Sequence, residues 1–332
     1  MTAPLALLPP IPLLAAFLAS PAPDDAAAPP PPPRTLVLET PPLHIDRIYH
    51  SMQGPYDRVP VEAEGLDWVT AIRSEVIDAG DGTRLGDEFF CHSQMQVGLG
   101  SQLLVMATGA EEIRFPDGFG VRMTEWTRRG GLNFFGMALN NHVAPIDRHV
   151  RVRATVEYRS EEDVRDAPLR ELTMTPVVMS VRDARHRPAD AHAHAHADAR
   201  DESNVATHCV LVDDLPVHWM VPPGPPLTRR RIDVRPWLTA ERATVHYVAT
   251  HLHNHGVSML LRDVTTGEVL WEAVVENEPD RVQIARIPAY ASADGFPLRR
   301  DHEYEIEARY DNTSDRPIDA MAMMGVYWRP AP

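Results

Sequence analysis

Apolar and polar residues alternate along most of this chain in short runs. The alternation is visible at 35–38, 68–76, 103–107, 150–158, 174–181, 205–212, 244–250, 257–262, 268–275, 282–287, 303–310 and 320–328. Turn-forming Gly, Pro, Asn or Asp residues bound the runs. Successive residues of a strand point to opposite faces, so each run reads as a β-strand. No long stretch carries the 3.6-residue period of an amphipathic helix. Many short strands with frequent turns predict an all-β protein: two consecutive antiparallel β-sandwich domains of jelly-roll type.

The pattern lapses twice. Residues 5–20 are mostly apolar but broken by prolines at 9, 10 and 12, and a Pro/Ala-rich stretch follows. Residues 1–34 are therefore expected to be an export signal and a stiff Pro-rich tether, which makes the protein exported, periplasmic or secreted. The first 33 residues hold no basic residue, so a disordered cytosolic tail is the competing reading. Prolines oppose a spanning helix, and no later segment has enough consecutive apolar residues to cross a bilayer, so no stable membrane insertion is expected. The second lapse, at 184–204, is a polar His-rich connector. It places the N-terminal sandwich at 35–183 and the C-terminal one at 205–332. Its HAHAHADA tract is an ordinary low-complexity loop or a weak metal scavenger.

Composition then removes whole chemistries. A length of 332 residues suits two domains, and a net charge of −15 repels phosphate backbones, so nucleic acid is not an expected partner. All 32 basic residues are Arg, which excludes a lysine Schiff base and a P-loop lysine. No Gly-x-Ser-x-Gly elbow or Gly-x-Gly-x-x-Gly loop is present. What stands out is 16 His and 13 Met against two Cys, since imidazole and thioether are ligands for soft and borderline metals.

Two segments concentrate those donors. In VHYVATHLHNHG (245–256), His251 and His253 lie two apart on a predicted strand and share a face, with His255 open as a third donor. In DAMAMMGVYW (319–328), Asp319, Met321 and Met323 share a face in the same way. A Met stripe is ordinarily core packing, and histidines two apart also occur by chance in His-rich chains. Two imidazoles combined with a distant thioether define a copper site, because nitrogen plus thioether selects copper over zinc, magnesium or calcium.

This combination resembles the catalytic domain of the copper type II, ascorbate-dependent monooxygenases, the peptidylglycine α-hydroxylating and dopamine β-type enzymes. VHYVATHLHNHG, RDHEYEIEARYDNT and DAMAMMGVYW match in order and spacing. The resemblance implies one copper in each of two sandwiches, the second binding dioxygen and the first passing an electron from ascorbate or another reductant. His251, His253 and Met321 take the catalytic metal roles. The first-domain counterpart is DEFFCHSQMQV, with Cys91-His92 where the family has His-His, and His142 in MALNNHV matches the later imidazole. The third ligand there is a thiol, Met95 or a group supplied elsewhere, and a Cys91–Cys209 disulfide would remove the thiol; the competing reading makes Cys91 a small buried apolar residue and His92 a hydrogen-bonded strand residue.

The substrate pocket departs from the family. Ala249 stands where the peptidylglycine enzymes place a carboxylate-binding Arg, and Met323 and Gly325 replace polar and aromatic residues. The expected partner is a small apolar molecule. His302 is a surface-facing strand start or a support for a ligand, while His44, His50, His208, His218 and His246 read as structural. Two other functions compete: a non-catalytic exported copper-binding or copper-delivery protein, and a carbohydrate- or protein-binding sandwich with incidental histidines.

Overall fold

The computed structural model describes residues 31–47, 54–98, 101–140, 146–179, 211–212, 215–232, 240–279 and 283–331. Among these, two antiparallel sandwiches account for nearly all the chain. The first uses β1 (Arg34–Glu39), β2 (Leu43–Ile45), β3 (Tyr56–Pro60), β4 (Trp68–Asp78), β5 (Phe90–Val97) and β6 (Ser101–Ala107). It continues through β7 (Glu112–Arg114), β8 (Phe119–Arg122), β9 (Leu132–Ala138), β10 (Arg148–Arg159) and β11 (Arg170–Glu171). One sheet runs β1-β10-β4-β8-β11 with β2 and β7 at its margins, and the facing sheet runs β3-β9-β5-β6. Strand β10 shows why the fold forms. Val150, Val152, Ala154, Val156 and Tyr158 are buried, while the Arg, Thr and Glu residues between them reach outward. Each buried aliphatic side chain contributes about 1.5–3 kcal/mol, so the pattern fixes the register.

The second sandwich begins with β12 (Thr173–Val178), followed by β13 (Leu211–Val212), β14 (Leu215–Pro216), β15 (His218–Val221), β16 (Leu227–Ile232), β17 (Arg242–Leu252) and β18 (Gly256–Asp263). Strands β19 (Val269–Val274), β20 (Glu276–Asn277), β21 (Ile284–Arg286), β22 (Tyr290–Arg299), β23 (Tyr304–Tyr310) and β24 (Ile318–Pro330) complete it. Its sheets are β12-β24-β17-β22, with β15 also on β24, and β16-β23-β18-β19.

Both boundary and strand expectations need correction. Residues 173–178, assigned from sequence to the first domain, pair with β24 in the second sandwich. The handover falls at Leu172, which packs in the first core, whereas Val177 and Met179 pack in the second. Strands β3, β9, β15, β16 and β22 lie outside the alternating runs, because their solvent faces or two-sided burial blur the period. Residues 1–30 of the leader and tether, the whole His-rich connector (184–204), His50, His142, His208 and Cys209 lie outside the described residues. Among the described residues no helix is long and apolar enough to cross a membrane.

Strands β17 and β24 are buried on both faces, since the first sandwich packs against their outer side. On β24, Ala320, Ala322, Met324, Val326 and Trp328 fill the second core, while Tyr327 joins the first and Met323 packs between the sandwiches. On β17 a bulge between Val245 and Tyr247 shifts the parity. Ala243 and Val245 point into the second core, and after the bulge Val248 and Leu252 do so, leaving Tyr247, Ala249 and His251 for the seam. Phe115 meets Tyr247 and Tyr327 edge-on at centroid distances of 5.4 and 5.0 Å. Tyr247 donates its hydroxyl to the Glu112 carbonyl at 3.2 Å. Gly109, at φ +79°, accepts from the Ile287 N–H through its carbonyl, and a Cβ there would stand 2.3 Å from Ile284 Cγ2. The seam thus needs glycine at this turn for both conformation and space.

At the far end of β23, His302 Nδ1 lies 2.6 Å from Oδ2 of buried Asp263. Burial raises the Asp263 carboxyl, but hydrogen bonds from His302 and the Thr266 backbone outweigh it and hold the group below its ordinary value. A depressed carboxylate stabilises the fold above its unfolded pKa of about 4, and that contribution is lost as pH falls through the lower folded value. Asp263→Asn is expected to cost about 1–3 kcal/mol at neutral pH in urea unfolding. The difference from wild type should shrink as the medium is acidified below pH 4.

Candidate metal centre

Among the described residues, the seam gathers several side chains able to ligate a metal onto the outer face of the β15-β24-β17 layer. In the ladders, His218 pairs with Met321, and His251 pairs with Met323. Continuing the β17–β24 register by one residue past Leu252–Ala322 brings His253 level with Met321. A row of His218, Met321 and His253 therefore crosses three neighbouring strands. The side chains are close: ring centroids of His251 and His253 lie 5.1 Å apart, and those of His218 and His253 lie 5.3 Å apart.

Asp319, two residues before Met321 and on the same face, anchors the row. Its Oδ2 lies 3.0 Å from His218 Nδ1 and 3.1 Å from His253 Nδ1. Burial opposes ionisation of this carboxyl, yet the bonds from the two imidazoles win and hold it well below the usual carboxylate range. One donor atom from each of His218, His253 and Asp319 falls within 4.8 Å of the others. The pairing also orients the rings. With Nδ1 of His218 engaged by the carboxylate, its Nε2 is the nitrogen turned toward a ligand, the usual way a carboxylate supports a ligating imidazole.

His251 is buried, and its pKa is lowered well below the ordinary value, first by desolvation and then by His253, His92 and His218. Neutral imidazole is the ligating form. His251 Nδ1 and His218 Nε2 are both buried and have no hydrogen-bond partner among the described residues. Met321 is half-buried and packs against Val105, Val178, Val217 and Met323, an apolar wall contributed by both sandwiches.

The family-derived candidates fare differently from one another. His251, His253 and Met321 are brought together, whereas His218, read from sequence as structural, belongs to the cluster. No local signal marks it: the β15–β24 pairing that places it joins segments about 100 residues apart. His92 faces His251 across the seam at 6.1 Å, stacked on Phe135 at 5.3 Å, with Cys91 Sγ 3.3 Å from its Nδ1. Met95 is fully buried in the first core. His302 belongs to Asp263 instead of the seam. His255 sits in the β17–β18 turn at φ +66°, its carbonyl accepting from the Asp311 N–H.

No protein-family model matches the chain, and no curated protein matches it. Among solved structures it is similar to PNGase F, a glycosylasparaginase from Flavobacterium meningosepticum, at 9% identity and a TM-score of 0.40, covering 90% of this chain and 97% of that one. It is also similar to a chain of the cowpea mosaic virus top component, at 7% identity and a TM-score of 0.39, covering 89% and 90%. Likenesses this remote carry no argument about the site.

The buried imidazole gives a direct test. The unfolded chain protonates His251 near its ordinary value of about 6.5 and the folded protein only well below it. Metal-free protein should therefore lose stability as pH falls through about 6, and His251→Gln should lessen that loss. NMR should show the His251 ring still neutral at a pH where a free histidine is protonated.

Proposed function

We propose that the seam holds a copper ion through His218, His251, His253 and Met321, and that the protein is a copper-dependent monooxygenase-like oxidoreductase acting on a C–H bond of a small apolar substrate. The observation that carries this reading is the pair of buried ring nitrogens on His251 and His218 that have no partner among the described residues, beside a thioether. Leaving such a nitrogen unsatisfied costs about 1–3 kcal/mol each, which a bound metal would offset. Nitrogen and thioether donors together suit copper, and Met321 favours its reduced state. Copper would supply one-electron chemistry with dioxygen, drawing its electrons from ascorbate or another one-electron donor.

The protein's own contribution is positioning and exclusion of water. Asp319 fixes the tautomer and direction of His218 and His253. Val105, Val178, Val217 and Met323 supply an apolar flank that suits an apolar substrate and offers no carboxylate clamp. His92 stands at the edge of the cluster, close enough to His251 to influence its charge state.

The burial of this flank favours a second reading, a copper-binding or copper-delivery protein without turnover. Val217 and Met323 are only 1% and 5% exposed, so the donors meet packed side chains on that side. Oxygen uptake by copper-loaded protein with ascorbate and small apolar substrates separates the two. Turnover lost in Met321→Ala supports the oxygenase. Tight copper binding without turnover supports the carrier. Copper affinity equal in wild type and a His251→Ala/His253→Ala variant would overturn both.

A further inference from the structure

The β17–β24 ladder stops at Leu252–Ala322, one residue short of His253 and Met321. At that point a side chain from the opposite sheet enters between the two strands. Tyr310, the last residue of β23, is fully buried and extends its ring across the second core. Its hydroxyl accepts a hydrogen bond from the His253 N–H at 3.0 Å and donates one to the Met321 carbonyl. The ring also meets Trp219, the residue after His218, edge-on at 5.7 Å and 86°. One side chain therefore touches the backbone of two donor residues and the neighbour of a third.

We propose that Tyr310 is a positioning residue for the metal centre: its hydroxyl bridges the His253 and Met321 backbones and sets the spacing of their side chains. The inference rests on the copper reading for its consequence but not for its geometry. A hydroxyl has one proton and two lone pairs, so it donates to the carbonyl while accepting from the amide, satisfying both strands where the ladder ends. Without it, one buried N–H and one buried C=O must find each other or water. Either response changes the distance between the strands that carry His253 and Met321. Donor sets tolerate little such change, and loss of a supporting hydrogen bond typically weakens metal binding about 10–100-fold.

A matched control lies in the same core. Tyr304, at the other end of β23, likewise donates its hydroxyl to the Arg299 carbonyl and accepts from the Arg299 N–H, at 3.1 and 2.6 Å, but touches no donor. The experiment compares Tyr310→Phe with Tyr304→Phe in the full chain. The first readout is hydrogen exchange at the His253 amide in metal-free protein, and the second is Cu(I) affinity by competition with a chromophoric chelator. Tyr310→Phe should speed exchange at His253 at least about tenfold and weaken Cu(I) binding about 10–100-fold, with Tyr304→Phe changing neither. Unchanged exchange at His253, or equal weakening of Cu(I) binding by both variants, would overturn the proposal. Absence of site-dependent copper binding in the wild type would instead remove the functional reading, while the exchange result still decides whether Tyr310 bridges the strands.

Discussion

The structure depends on one packing arrangement, the burial of the β17–β24 layer on both of its faces. A sheet in a sandwich ordinarily keeps one face for solvent. Here the outer face of the second sandwich is covered by the first, through Phe115, Tyr247 and Tyr327 and through the close approach of Gly109 to Ile284 and Ile287. That contact removes water from a face carrying four polar, metal-competent side chains. The depressed basicity of His251 and the low-lying carboxyl of Asp319 follow from it, because charge is costly where solvent is excluded and hydrogen bonds there are strong.

Part of this was legible in the sequence. Alternation marked the long strands and the all-β class, and a two-residue spacing put His251 with His253 and Asp319 with Met321. Legibility failed where position depends on partners distant in the chain. The bulge after Val245 decides which parity of β17 faces the seam, yet nothing in VHYVAT announces an extra residue. His218 looks like any polar residue at a strand start, and only its ladder to β24 places it beside Met321. The domain boundary failed for the same reason: the polar connector is the obvious break, but the chain changes sandwiches before reaching it, at Leu172.

The seam also changes what the two sandwiches are to one another. A two-domain reading treats each as a separate host for chemistry. His92, on the outer face of the first, instead completes the surroundings of His251 on the second. The donors on β15, β17 and β24 are held by one layer, and the first sandwich acts as its cover. Relative movement of the two units would alter solvent access to the histidines without breaking the ladders that align them.

The place of β24 in the chain has a consequence for assembly. It is the last strand in sequence, yet it lies between β17 on one side and β12 and β15 on the other. Those partners are made long before it and cannot be joined until it arrives. Such late, long-range pairing implies slow folding, with earlier strands waiting as exposed edges. The imidazoles of β15 and β17 would meet neither their carboxylate nor their thioether until that final insertion. The histidine, carboxylate and thioether groups of the seam would thus stay scattered until the tertiary structure is closed.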